Sequence, residues 1–286
     1  MARELEIKLS VAPSELDRAL TWLLSRPETR QRETLQLANT YYDTPEGDLN
    51  RQKIALRIRR MGDQYIQTLK TRGEFVNGAH QRQEWEWPLM GTGLQMGLIA
   101  DTPVAQSVNP AALQPVFETN FERRVVMIGQ GDSLIEVAID SGEIVAGGQS
   151  CPLHEIEFEL KAGDASSLLV WARRLADEVP VFLNVISKAE QGYYLAGVAS
   201  PEPDPASIRN TYDFFHCLSA CWLCRKQFPA GNADFSEVRL AAEATGVKAD
   251  FEKLVDQLCS DQPVNALIAD GLTGRVQLAL AGFSPA

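Results

Sequence analysis

LHEIEFEL, residues 153–160, sets Glu155, Glu157 and Glu159 on one side of an extended chain and Ile156, Phe158 and Leu160 on the other. Side chains alternate across a strand, so the segment has one apolar and one wholly acidic face. RELEIKL at 3–9 repeats the device, with Glu4, Glu6 and Lys8 opposed to Leu5, Ile7 and Leu9. In KIALRIRR (53–60) the charged pair is Arg57 and Arg59, and in QYIQTLKT (64–71) Lys70 shares its face with Thr68 and Ile66. HQRQEWEW (80–87) opposes Arg82, Glu84 and Glu86 to Trp85 and Trp87, and SLIEVAID (133–140) opposes Glu136 and Asp140 to Val137 and Ile139. With two further alternating runs at 34–42 and 120–128, the pattern predicts eight strands.

One buried and one solvated face would explain any single strand. Solvated faces, however, usually mix in Ser, Thr, Asn and Gln, whereas here Glu-x-Glu-x-Glu and Arg-x-Arg recur. Such faces repel themselves within each strand unless something neutralises them. Acidic triplets suit divalent cations, which take hard oxygen ligands. Arg and Lys faces suit phosphate oxygens. A polyphosphate chelated to magnesium satisfies both.

The whole chain agrees with a soluble globular protein. Its 286 residues are 45% hydrophobic and 23% charged, with 38 Asp+Glu against 27 Lys+Arg and a net charge of -11. That balance argues against nucleic acid as a partner, because phosphate-backbone affinity needs clustered bases. No apolar run reaches about 18 residues and MARELEIKLS is no signal-peptide core, so neither membrane nor secretion is expected. Five cysteines, an odd number, fit a reducing cytoplasm.

Helices are expected at 13–25 and at 164–178, the latter opened by Asp164 as N-cap, and Met61-Gly62-Asp63 reads as a hairpin turn. Pro201, Pro203 and Pro205 form a stiff acidic linker, after which 207–225, 234–245, 250–259 and 264–280 have helical lengths. The boundary is placed near 200, giving a strand-rich domain at 1–199 and a helical region at 200–286. The helical region holds eleven acids and seven bases. Because every motif residue precedes the linker, a chain ending near Ala199 is expected to fold and act alone.

The ordered set Glu4-x-Glu6-x-Lys8, Tyr41-Tyr42-Asp43-Thr44, Leu56-Arg57-Ile58-Arg59, Thr68-Leu69-Lys70, Arg82-x-Glu84-x-Glu86, Glu136-x-x-x-Asp140-x-Gly142, Glu155-x-Glu157-x-Glu159 and Ser187-Lys188 resembles the CYTH superfamily, the triphosphate tunnel metalloenzymes. Gly78-Ala79-His80-Gln81-Arg82 is similar in particular to the bacterial inorganic triphosphatase branch. The resemblance spans residues 1 to about 198. It implies an α+β fold: a closed eight-stranded antiparallel β-barrel, open at its ends, flanked by helices, with a short all-helical C-terminal region. The charged faces would line the lumen. Trp85 and Trp87 would pack outside, against helices such as 13–25 and 164–178.

The resemblance further implies metal-dependent hydrolysis of inorganic triphosphate. Glu4, Glu6, Asp140, Glu155, Glu157 and Glu159 would hold one or two Mg2+ or Mn2+ ions, with Glu84 and Glu136 in support. Lys8, Arg57, Arg59, Lys70, Arg82, Arg123 and Lys188 would bind the triphosphate, and Glu4, Glu6, Lys8 and Lys188 would stand at the chemistry. Thiamine triphosphatase, an adenylyl cyclase of the class IV type and a non-catalytic polyphosphate-binding module are the alternatives. The family pattern Ser-Lys-x-x-Arg-Gly-Tyr is broken here by Gln191, a lost charge expected either to weaken phosphate binding or to lie outside the lumen. With only His216 beyond residue 200, a full histidine-rich CHAD domain is not expected, and the helical region reads as a packing or homodimerisation element.

Other signals carry less. His216 and Cys217-x-x-x-Cys221-x-x-Cys224 share a helix, and buried apolar cysteines explain them better than a zinc site. His80 in a strand is read as structural, and His154 should point away from the acidic triplet. Gly142 to Gly148 lacks the following helix and Lys-Ser/Thr of a P-loop.

Overall fold

A computed structural model describes residues 2–76, 78–105 and 108–283, with side chains from residue 4 onward. All eight expected strands form, most of them longer than the alternation alone marks: β1 (Ala2–Val11), β2 (Thr29–Asp43), β3 (Ala55–Met61), β4 (Gln64–Lys70), β6 (Ala79–Leu89), β7 (Gln114–Gln130), β8 (Ser133–Ala146) and β9 (Gln149–Ala162). Two three-residue strands, β5 (Glu74–Val76) and β10 (Val181–Leu183), are too short for a period-2 signal. The main strands pair antiparallel in the order β1-β9-β8-β7-β2-β3-β4-β6, and β6 pairs back with β1 through Glu4↔Arg82 and Glu6↔His80, closing an eight-stranded barrel. β5 extends β6, and β10 pairs with Leu9 to Val11 of β1 beyond the β6 contact.

Turn chemistry follows the sequence. Gly62 (φ 58°) turns β3 into β4, and Gly147 and Gly148 (φ 56° and 80°) turn β8 into β9, so the glycine-rich stretch is a hairpin.

The helices are α1 (Leu16–Leu24), α2 (Asp48–Arg51), α3 (Ser166–Ala176), α4 (Lys188–Leu195), α5 (Thr211–Cys224), α6 (Ser236–Ala244), α7 (Lys248–Leu258) and α8 (Leu272–Ala281). Asp164 opens α3 from just outside, its Oδ1 accepting the Ser166 N–H at 3.0 Å. The expected single helix at 264–280 is divided by Gly271, in the left-handed region at φ 73°.

Burial places the outer cover, with one correction. α1 and α3 cover Ile7, Val126, Ile128, Val137, Ile156 and Phe158. Trp85 and Trp87 lie elsewhere: they pack with Leu56, Leu69, Ile99, Val104 and Val108, beneath the connection between β6 and β7. That outer face belongs to β3, β4 and β6, and the irregular loop that follows β6, which periodicity does not mark, covers it.

The expected separation at residue 200 is not a break in the core. Phe182 of β10 stacks on Trp222 of α5 at 6.0 Å, and Phe214, Phe215, Leu254, Val276 and Leu280 belong to the same apolar cluster as Ile7, Phe158 and Trp171. Cys217 and Cys221 are buried in that cluster, and every cysteine is free. No helix among the described residues is long and apolar enough to cross a membrane.

Candidate active site

Inside the barrel the inward residues divide by polarity. Leu37, Phe117, Phe121, Ile144 and Leu153 form an apolar sector against which Tyr193 of α4 packs, so α4 fills one end of the lumen instead of leaving it open. A Cβ on Gly192 would lie 2.1 Å from the Phe117 ring, so only glycine lets α4 seat there. α4 itself was not foreseen. Its signal is Ser187-x-x-Glu190, a capping box in which Ser187 Oγ accepts the Glu190 N–H at 3.2 Å and Glu190 Oε2 accepts the Ser187 N–H at 3.0 Å.

The rest of the lumen opens into a cavity of 1490 Å³ walled largely by charge, which extends past the strands to Arg51, Lys53 and Arg72 and to Asp204, Asp213 and His216 of the helical region. Lys and Arg side chains, mostly from other strands, pair with the strand acids, which offsets part of the repulsion expected within each strand. Arg82 Nε holds Glu4 at 2.6 Å and its Nη2 holds Glu6 at 2.9 Å, while Lys70 Nζ reaches Glu4 at 2.8 Å and Glu84 at 3.1 Å. Arg57 donates to Tyr41 Oη at 3.4 Å, and Arg59 Nε donates to Asn39 Oδ1 at 2.8 Å. Lys8 Nζ donates to the carbonyl of Ile186.

Asp140 and Glu155, expected among the metal ligands, do not line this cavity. Asp140 is fully buried and accepts two 2.7 Å bonds from Arg123; Glu155, equally buried, lies 2.8 Å from Lys188 Nζ. Lys188 also reaches Asp140 at 3.0 Å and Glu157 at 2.6 Å. These two acids therefore sit behind the cationic wall and hold it in place. Gln191 is buried and donates to Glu155 Oε1 at 2.8 Å, outside the cavity. An arginine there would compete with Lys188 for Glu155; the neutral amide leaves that charge to the lysine.

Electrostatics separate neighbours of the same type. Burial pushes Glu6 up, reinforced by Glu4 and Glu157, to about 7. Burial also acts on Glu4, but Lys70 and Arg82 outweigh it and hold that carboxyl well below the usual range. Lys8 is lowered by burial, whereas Lys188, equally buried, is raised by Glu155, Glu157 and Asp140. Burial, with Arg57 and Arg123 beside it, lowers Arg59 to about 9. His80 lines the cavity, and burial together with Lys8 and Arg82 lowers it to about 3, so the imidazole is neutral at pH 7. His154 accordingly lies outside, 3.4 Å from Ser141 Oγ.

Several lining groups escaped sequence reasoning, among them Lys53, Arg72, Glu190 and Tyr212 from loops and helices, and Tyr41 and Lys161 from strands. Tyr41 faces inward, stacked on Phe117 at 4.5 Å, as the alternation of 34–42 with Asn39 would have indicated. Lys161, 2.7 Å from Glu159, continues the Glu155-x-Glu157-x-Glu159 period by one step.

Comparison with known proteins follows the same geography. Inorganic triphosphatase of Haemophilus influenzae is 38% identical over 197 residues, which are 68% of this chain and 55% of that protein, so the chain spans little more than half of that relative. Among solved structures, the Hippeastrum protein HpAC1, described as having a dominant triphosphatase activity, is 20% identical over 67% of this chain and 95% of that one, at a TM-score of 0.48. A Mimivirus capping enzyme triphosphatase is 11% identical, covering 61% and 89%, at 0.34. At that level of likeness neither structure adds to the assignment. The CYTH domain model matches residues 2–193, from the first strand of the barrel to the α4 residue that seats inside it, and the chain belongs to the CYTH domain family.

Proposed function

We propose that the chain hydrolyses inorganic triphosphate to pyrophosphate and phosphate within the barrel, with a divalent metal ion bound beside the substrate. The observation that carries this reading is the cavity wall, which among the described residues holds eleven Lys and Arg and eleven Asp and Glu. A balanced wall has no net pull on a bare polyanion, but it fits a polyanion that arrives with its own cations. The 38% identity to an inorganic triphosphatase supports the same substrate class.

The donor set fits a hard divalent ion, since Glu4, Glu6, Glu157 and Glu159 offer carboxylate oxygens from adjacent strands. Among the described residues these acids are engaged by Arg and Lys, with no three gathered as a metal site. Phosphate oxygens compete for the same cations, which frees the acids. When bound, the ion would polarise a phosphoryl oxygen and lower the pKa of a water molecule.

The remaining work falls to side chains. Arg57, Arg59, Lys70 and Arg82 orient the phosphates, and their positive charge stabilises charge developing on the equatorial oxygens. Arg123 and Lys188 do so from the other side, preorganised by Asp140 and Glu155. A cytoplasmic location is consistent with five free cysteines.

A phosphate-release panel over tripolyphosphate, ATP and thiamine triphosphate, each with Mg2+, Mn2+ or EDTA, tests the proposal. Preferential, metal-dependent turnover of tripolyphosphate supports it. Preference for thiamine triphosphate or ATP, or binding without turnover, replaces it with an organic triphosphatase, a cyclase or a binding module.

A further inference from the structure

The barrel strands and α4 lie before residue 200, yet the cavity wall also takes in Asp204, Tyr212, Asp213 and His216, and two of the lumen lysines are held by a segment that the helical region grips. Gln277 of α8 is wholly buried and pairs in both directions with one residue of β10: Nε2 donates to Leu183 O at 3.0 Å and Oε1 accepts Leu183 N–H at 3.0 Å. A primary amide carries the donor and acceptor of a peptide group, so Gln277 caps the free edge of β10 as another strand would. Two residues on, Ser219 Oγ of α5, also buried, accepts the Val185 N–H at 3.2 Å.

The residue between them turns towards the barrel. Asn184 donates through N to Lys8 O at 3.1 Å and through Nδ2 to Ser10 Oγ at 3.0 Å, while its Oδ1 accepts the Ile186 N–H at 3.0 Å. Ile186 then presents its carbonyl to Lys8 Nζ, and Ser187 caps α4, whose first residue is Lys188. Five residues thus link the helical region to both lysines.

We propose that Gln277 and Ser219 are positioning residues: by fixing 183–187 they set Lys8 and Lys188 in the lumen, which makes the helical region part of the catalytic unit. The proposal rests on the triphosphatase reading for its kinetic consequence but not for its geometric one. Simple packing support would change stability alone.

The test uses the full chain with Gln277→Met, which keeps the volume and loses both bonds, and Ser219→Ala, which loses one. Two readouts are taken well below the melting midpoint: Mg2+-dependent hydrolysis of tripolyphosphate, and acylation rates of Lys8 and Lys188 relative to exposed Lys253, read by peptide mass spectrometry without substrate. Gln277→Met is expected to lower kcat by about tenfold or more and to change the relative labelling of Lys8 or Lys188 at least about threefold, with Ser219→Ala smaller in the same direction and Ser219→Thr restored. In a Lys8→Ala background the Gln277→Met effect should shrink, as coupled residues require. Unchanged kinetics and labelling in both variants, or an undiminished effect in the Lys8→Ala background, would overturn it. Should Gln277→Met fail to fold, Ser219→Ala decides. Should the wild type leave tripolyphosphate intact, the functional reading fails while labelling still decides this one.

Discussion

Arg82 reaches from β6 to β1 and donates to Glu4 Oε2 at 2.6 Å across the seam that closes the barrel. The same guanidinium holds Glu6 at 2.9 Å, so one cation serves two acids of unlike protonation behaviour. Opposed charges between strands therefore organise the lumen, and ligands must rearrange that pairing to bind.

Loss of a cradle arginine should act on binding first. Arg57→Ala removes charge-assisted bonds of about 1.5–3 kcal/mol, or roughly ten- to a hundredfold in triphosphate affinity. Arg57 is buried and lines the cavity. Titration calorimetry with tripolyphosphate and Ca2+ checks this; unchanged affinity would mean Arg57 never meets substrate.

The acidic triplet should divide by position. Glu157→Gln, which changes a cavity carboxylate, should raise the Mg2+ concentration needed for half-maximal activity by about tenfold or more. Glu155→Gln should leave that requirement within about twofold and lower the rate, because Glu155 serves Lys188 from behind the wall. Mg2+ dependence measured for both variants checks the division, and equal shifts would return Glu155 to the metal.

Stability of the metal-free protein should depend on pH through Glu6. With its pKa raised to about 7, the folded state holds more protons than the unfolded chain between about pH 4.5 and 7, so this contribution is lost as pH rises through that window. Glu4 and Glu157, held low, contribute in the opposite sense and lose their stabilisation as pH falls below the usual carboxylate range. Urea midpoints from pH 4.5 to 8 in EDTA should show the wild type losing stability relative to Glu6→Gln as pH rises, the opposite slope of His80, lowered to about 3, being common to both chains and cancelling in the difference. An unchanged slope in the variant would assign it elsewhere.

Ending the chain at Ala199 should cost more than the sequence suggests. It strips Trp222 from Phe182 and bares a core face shared with α3 and β10. The truncated chain is expected to aggregate or to melt at least about 10 °C lower in calorimetry, each lost large core side chain being worth about 2–5 kcal/mol. A truncated chain with wild-type melting would restore an independent barrel.

The strands and the lumen face were legible because alternation is local: Glu4, Glu6, Lys8, Arg57, Arg59, Lys70 and Arg82 all face the cavity as period two demands. What alternation cannot give is depth along the barrel axis. Glu155 and Glu157 share a strand face, yet only Glu157 lines the cavity, because α4 seats over the other end. The cover over Trp85 and Trp87 is an irregular loop and the grip of Gln277 on Leu183 joins residues far apart in sequence, and neither carries a periodic signature.

A thermal melt with phosphate, pyrophosphate and tripolyphosphate, each with Mg2+ or EDTA, tests most directly the claim that a charge-balanced lumen takes triphosphate together with metal. Tripolyphosphate with Mg2+ at about a hundred times its dissociation constant should add roughly 2.7 kcal/mol, or about 5–10 °C, with smaller shifts for the shorter anions and in EDTA. Equal shifts for all three anions, with and without metal, would contradict it.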